Sequence, residues 1–241
     1  MKGSVAAIET LGLLDGPGIR TVVFLNGCKL RCKYCHNPEM WQSSQKNMDA
    51  PYLAERILRN KNYFGEEGGV TFSGGEPLLQ SDFIIEVAKI LKKENIHIAL
   101  DTAGVGVGNY EEILSYVDLI IFDVKHTDDT GYKELTGNNI EESLKFIQVA
   151  NSLNKKFWIR QVIVPGVMDN EEYMESLLRF VKKIKHIEKI EFLPYHKLGS
   201  EKYEKLRIPN SYKEVPEMDT KRCKELYEKF MKDYANEVTD A

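Results

Sequence analysis

Three of the four cysteines in this chain, Cys28, Cys32 and Cys35, fall within one short loop-like stretch, Gly27-Cys-Lys-Leu-Arg-Cys-Lys-Tyr-Cys-His36. A thiolate is a soft anionic ligand, suited to zinc, copper(I) or an iron–sulfur cluster. Three thiols are too few for two disulfides. They are also one short of a closed zinc site, which is commonly built from two separated pairs. His36 directly follows Cys35 and is awkwardly placed to be a fourth ligand to the same ion. A four-iron cubane suits the number better. A C-x3-C-x2-C loop holds three corners and leaves the last iron free for a small molecule. Cys223 is the other candidate for that corner, but it recurs with Leu226, Tyr227, Phe230 and Met231 on one helical face and reads as a buried structural cysteine. The spacing alone keeps open a zinc-stabilised or electron-carrying module beside an enzyme.

Further residues of chemical interest follow apolar, β-branched runs. Such runs span 21–25, 69–73, 97–102, 119–124, 157–164 and 190–194, and each reads as a buried strand. After them come the cysteine loop, Ser73-Gly-Gly-Glu76, Asp101-Thr102, Asp123-Val-Lys125 and Tyr195-His196. Between the strands, helical spacing of apolar residues predicts helices over 82–93, 141–154 and 170–185, with Asn170 as an N-cap, and a last helix over 219–234. Repeated strand-then-helix units predict an α/β fold with parallel strands and right-handed crossovers. A doubly wound open sheet and a barrel of six units both satisfy the pattern, and both place ligands at the carboxyl ends of their strands.

Composition narrows the function classes. The 241 residues are 42% hydrophobic and 29% charged, with net charge −4. Nothing has the basic footprint of a nucleic-acid binder. No apolar run is long enough to span a membrane. The first ten residues lack a signal-peptide pattern, so a cytoplasmic, reducing setting is expected, where clustered cysteines serve metals or catalysis. One domain over 1–241 is expected, its part after about 200 peripheral, with 200–216 a polar surface connection.

The stretch Cys28-Lys-Leu-Arg-Cys32-Lys-Tyr34-Cys35 resembles the C-x3-C-x-aromatic-C signature of the radical S-adenosylmethionine (SAM) superfamily. Further segments flank it in order along the chain: Leu14-Asp-Gly-Pro-Gly-Ile-Arg20 before it, then Thr71-Phe-Ser-Gly-Gly-Glu-Pro77, Leu100-Asp-Thr102, Phe122-Asp-Val-Lys125, Trp158-Ile-Arg160 and Leu193-Pro-Tyr-His196 after it. Together they resemble the glycyl radical enzyme activases of the pyruvate formate-lyase type. The resemblance implies a partial (β/α)6 TIM-like barrel. It implies a [4Fe–4S] cluster on Cys28, Cys32 and Cys35, with the amine and carboxylate of SAM on the open iron. One electron then breaks the C5′–S bond, and no side chain acts as the catalyst.

Site roles follow from the same resemblance. Tyr34 and His36 flank the adenine, with Cys35 between them also a cofactor-binding position. Gly74, Gly75 and Glu76 receive the methionyl amine. Asp123, Val124 and Lys125 form the segment reaching the ribose and carboxylate, and His196 contacts SAM. Asp101, Thr102 and Asp123 resemble ligands of a monovalent cation. Asp15 and Arg160 contact a substrate peptide. The implied partner is the glycine loop of pyruvate formate-lyase, with flavodoxin or ferredoxin as reductant and a monomeric enzyme. The stretch from Trp41 to Gly68 lacks the cysteine-rich insert of the glycerol and diol dehydratase activators. His97, His126 and His186 match no functional position.

Overall fold

The computed structural model describes residues 1–42 and 45–239. Its centre is a seven-stranded sheet in strictly consecutive order: β1 (Val5–Gly12), β2 (Arg20–Leu25), β3 (Gly69–Gly74), β4 (His97–Thr102), β5 (Leu119–Val124), β6 (Lys156–Ile163) and β7 (Ile187–Pro194). β1 pairs antiparallel with β2, and every later pair is parallel. A doubly wound sheet reverses its strand order midway. This one never does, so the six parallel strands form a partial barrel, open between β1 and β7. A two-stranded pair, Lys2–Gly3 with Met48–Asp49, lies outside it.

Strand alternation sorts the side chains into two cores. The outward set, including Val23, Phe72, Leu100, Phe122 and Ile159, packs under the helices in one large cluster. The inward set is small: Ala99, Leu119 and Ile121, with Trp158 against them. Two residues further along the same strands the inward positions turn polar, to Asp101, Asp123 and Arg160. The apolar plug thus fills the lower barrel and leaves chemistry to its carboxyl end.

Besides a single helical turn at Lys61–Phe64, the described residues form the helices α1 (Ala50–Leu58), α2 (Ser81–Lys93), α3 (Tyr110–Tyr116), α4 (Asp129–Thr136), α5 (Glu141–Ser152), α6 (Glu171–Val181), α7 (Ser200–Leu206) and α8 (Thr220–Thr239). Asn170 caps α6 as expected, accepting from the Tyr173 N–H at 2.9 Å. Asp128 caps α4 through Gly131 N–H at 2.9 Å, and Gly137, at φ 78°, closes its other end. The polar stretch 200–216, expected to be a surface connection, instead begins with α7, which packs on the segment after the cysteine loop. Among the described residues no helix is long and apolar enough to cross a membrane.

Candidate active site

A cavity of about 430 Å³ opens at the carboxyl end of the barrel. Cys28, Cys32 and Cys35 line it together with Tyr34, His36, Gly74, Gly75, Glu76, Asp101, Thr102, Asp123, Lys125, Arg160, His196 and Asp15. Nearly every residue singled out from the sequence therefore converges on one space. Cys223 does not: it is buried in α8, away from the cavity. Val124 is also set apart, its side chain turned into the outer core, so only its backbone is available to a ligand.

The cysteine loop is held on both sides. Arg31 and Lys33, flanking Cys32, donate their N–H groups to Thr136 and Leu135 at the end of α4, at 2.8 and 2.9 Å. Gly27 and Cys28 donate to Met40 and Trp41. From α7, Tyr203 donates its hydroxyl to the Cys35 carbonyl at 2.8 Å, and Lys202 donates to Asn37 and Glu39. Burial pushes the Cys28 thiol up to about 11 and the Cys32 thiol up to about 12, with Lys125 offsetting only part of this. Burial raises Cys35 as well.

The Ser73-Gly-Gly-Glu turn is sewn to that loop. Gly75 N–H donates to the Leu25 carbonyl and Glu76 N–H to Gly27, both at 2.8 Å. Gly74 has φ 112°, and a Cβ there would lie 2.3 Å from the Leu25 nitrogen, so glycine is required. Glu76 is only 1% exposed. Its carboxylate accepts from the Thr102 hydroxyl (2.5 Å), Ala103 N–H (3.0 Å) and Leu78 N–H (3.1 Å). Those bonds tie the glycine turn to the turn after β4, while burial lifts the acid to about 7. The Thr102 hydroxyl is thereby turned to Glu76, not to Asp101.

The barrel wall opposite is ionic. Asp101 accepts from Ser73 at 2.6 Å, and burial followed by Asp123 raises it to about 6. Lys125 donates to Asp123 at 2.8 Å and lies 5.7 Å from the Tyr34 ring centroid. Arg160 donates to Glu191 at 3.0 Å and to the Leu14 carbonyl, and stands 3.8 Å from Asp15. Burial opposes the Arg160 charge, yet Asp101, Asp123 and Glu191 outweigh it and hold the guanidinium above its ordinary value.

The loop carrying Asp15 rests on a residue the sequence reading passed over. Arg20 is fully buried and donates to Thr71 Oγ1 (2.6 Å), Val70 O (2.6 Å) and Pro17 O (2.8 Å). Thr71 in turn donates to the Asp15 carbonyl at 2.5 Å. The signal for Arg20 was its inward place on β2, where an arginine must find partners inside the barrel. At the rim, His36 and His196 stack at 4.0 Å between centroids, and His36 Nε2 meets the His196 carbonyl at 3.0 Å. The Tyr34 hydroxyl and His196 Nδ1 are buried without a protein partner.

Residues 22–181 match the model of the radical SAM superfamily. The pyruvate formate-lyase-activating enzyme of Clostridium pasteurianum is 48% identical over 97% of this chain and 98% of its own length. The chain belongs to the radical SAM superfamily, among the pyruvate formate-lyase-activating enzymes. A crystallised domain of the pyruvate formate-lyase-activating enzyme from Bacteroides vulgatus is 25% identical, with TM-score 0.56 over 70% of this chain and 95% of that one. A radical SAM methyltransferase from Sphaerobacter thermophilus, 17% identical, shares the fold, with TM-score 0.65 over 89% of this chain and 64% of that one.

As a radical SAM enzyme the protein uses a [4Fe–4S] cluster and SAM. The donor set fits that cofactor. Three thiols, Cys32 buried and Cys28 and Cys35 half-buried, share one cavity with little cationic support from the protein, and a cluster supplies the positive charge that thiolates need. The unpartnered Tyr34 hydroxyl and His196 Nδ1 give a polar cosubstrate two places to bond. His196 and its stacking partner His36 set a flat edge on the same side.

Proposed function

We propose that this protein reductively cleaves SAM and removes a hydrogen atom from a backbone glycine of pyruvate formate-lyase, leaving a glycyl radical there. The observation that carries this reading is that three thiols and the Asp15–Arg160 pair line one cavity. A radical source and a charged pair suited to a peptide backbone therefore share one space. When bound, the reduced cluster supplies the electron that splits the sulfonium into methionine and a 5′-deoxyadenosyl radical.

The chain's own residues position and shield. Cys28, Cys32 and Cys35 would hold the cluster. Tyr34, His36 and His196 flank the adenosyl group, and Gly74, Gly75 and Glu76 shape the wall beside the methionyl amine. Asp123 and Lys125, already paired at 2.8 Å, reach the ribose and carboxylate, with the Val124 backbone between them. Asp101 and Asp123 are the oxygens that suit a monovalent cation, the Thr102 hydroxyl being committed elsewhere. Asp15 and Arg160 bracket the peptide. The reading extends to a single functional unit over the whole chain, a monomer in the cytoplasm reduced by flavodoxin or ferredoxin.

The test is electron paramagnetic resonance on an oxygen-free mixture of reduced enzyme, SAM and pyruvate formate-lyase. A glycyl doublet is expected. Methionine release without the doublet would move the activity to another glycyl radical partner. Zinc without labile sulfide in an anaerobic preparation would end the radical SAM mechanism for this chain.

A further inference from the structure

A second groove, of about 450 Å³, runs beside the cavity. One wall is β7, from Lys189 to Pro194; the other is the start of α8, with Thr220, Lys224 and Tyr227. Among the described residues β7 ends the sheet and pairs only with β6. It is also the least covered parallel strand: Glu188, Lys189 and Leu193 are exposed, whereas β3 is buried along nearly its whole length. An end strand presents a row of backbone donors and acceptors ready for another chain. The groove floor is apolar, with Ile190 and Phe192, the latter set against Tyr227 at 5.6 Å between ring centroids.

Leu193 and Pro194 line both spaces. A chain lying along β7 is therefore delivered to the mouth of the cavity, on the side where Arg160 bonds Glu191 of the same strand. A protein whose glycine enters the cavity must carry its flanking residues out across this rim. Lys189 to Pro194 offers about 20 Å of edge at about 3.3 Å per residue. Alternate side chains of an added strand would face the Phe192–Tyr227 floor and the solvent.

We propose that the β7 edge and the start of α8 dock an extended segment flanking the target glycine, which adds to the sheet as a strand. This rests on the glycyl radical reading and names a second contact for the same substrate. The mode of binding is main-chain pairing over an apolar floor, so it favours an extended segment with apolar side chains at alternate positions rather than a helix.

The experiment compares two peptides with the cluster-loaded enzyme. A short one covers only the glycine and its immediate neighbours, and a longer one continues far enough to span β7. The longer peptide is expected to show about a tenfold lower KM, about 1.4 kcal/mol, and to slow amide exchange across Ile187–Pro194. Lys224→Trp, at an exposed helix position, fills the groove. It is expected to erase the advantage while leaving the short peptide's KM and SAM cleavage unchanged. Equal KM values for both peptides in the native protein, or an advantage that survives Lys224→Trp, would overturn the proposal. A concentration-dependent dimer abolished by Lys224→Trp would give the groove to a second copy of this chain, and would overturn it too. If neither peptide is activated while methionine is still released, the functional reading itself fails; activation of the short peptide alone sinks only the groove.

Discussion

The two sides of the cavity are built on opposite electrostatic plans. The cysteine side is short of charge: Cys32 is buried with Cys28 and Cys35 half-buried beside it, and loss of solvent drives Cys28 and Cys32 to about 11 and 12. The barrel-wall side is crowded with charge and balances it internally, Asp123 on Lys125 and Glu191 on Arg160. The first side is unfinished without an added cation-bearing group. The second is complete as folded. One half of the site therefore depends on a cofactor for its chemistry, and the other on its own ion pairs for its shape.

Cys32→Ala breaks the unfinished side outright. Iron and sulfide content should fall, and methionine release should disappear; normal release would remove Cys32 from the ligand set. Arg160→Leu breaks the self-balanced side: Asp101 loses a nearby cation, while Asp123 keeps Lys125 and Glu191 keeps Lys189. A buried polar group left under-compensated costs about 1–3 kcal/mol, so a drop in melting temperature of the cluster-free protein is expected. An unchanged melting temperature would mean that Asp101 is neutralised another way.

Asp15→Asn is a milder probe, because Asp15 meets Arg160 only at 3.8 Å. SAM cleavage should stay near native while glycyl radical yield falls several-fold; equal loss of both would place Asp15 with the cosubstrate. The last expected effect is a slope in stability with pH. Glu76 is raised from 4.5 to about 7, chiefly by burial. Its folded form thus holds a proton more tightly than its unfolded form, and its ionisation opposes folding. The cluster-free protein should lose stability as pH rises from about 4.5 to 7, with no further change from this group above that. Glu76→Gln should flatten the slope, read by thermal denaturation across that window; an undiminished slope assigns it to other acids.

The central parallel strands β2 to β5 were legible because both their faces are buried, which leaves unbroken runs such as Leu119-Ile-Ile-Phe. Their carboxyl-end residues were legible for the same reason. β1 escaped notice: it is an edge strand with most side chains exposed, and its register shifts twice against β2, so neither a run nor a clean alternation marks it. α1, α3 and α4 are each fewer than ten residues, too short for a strong helical period. The choice between open sheet and barrel depended on strand order, which no local pattern encodes. In the site, residue types and spacing brought Asp101, Asp123 and the cysteines together correctly. They did not show that the Thr102 hydroxyl serves Glu76, because adjacent residues on a strand face opposite ways. Nor did they show Arg20 beneath the Asp15 loop, whose partner Thr71 is far off in sequence.

The clasp from α7 has a consequence for biosynthesis. All three cysteines leave the ribosome early, yet the Tyr203 hydroxyl that secures the Cys35 carbonyl emerges some hundred and seventy residues later. Domains acquire such long-range contacts late, after the intervening chain has been threaded. Until residue 203 is made, the loop has its fastenings to Thr136, Leu135, Met40 and Trp41 but not the clasp on Cys35. The last cysteine to be gripped is thus secured by one of the last parts of the fold to be synthesised.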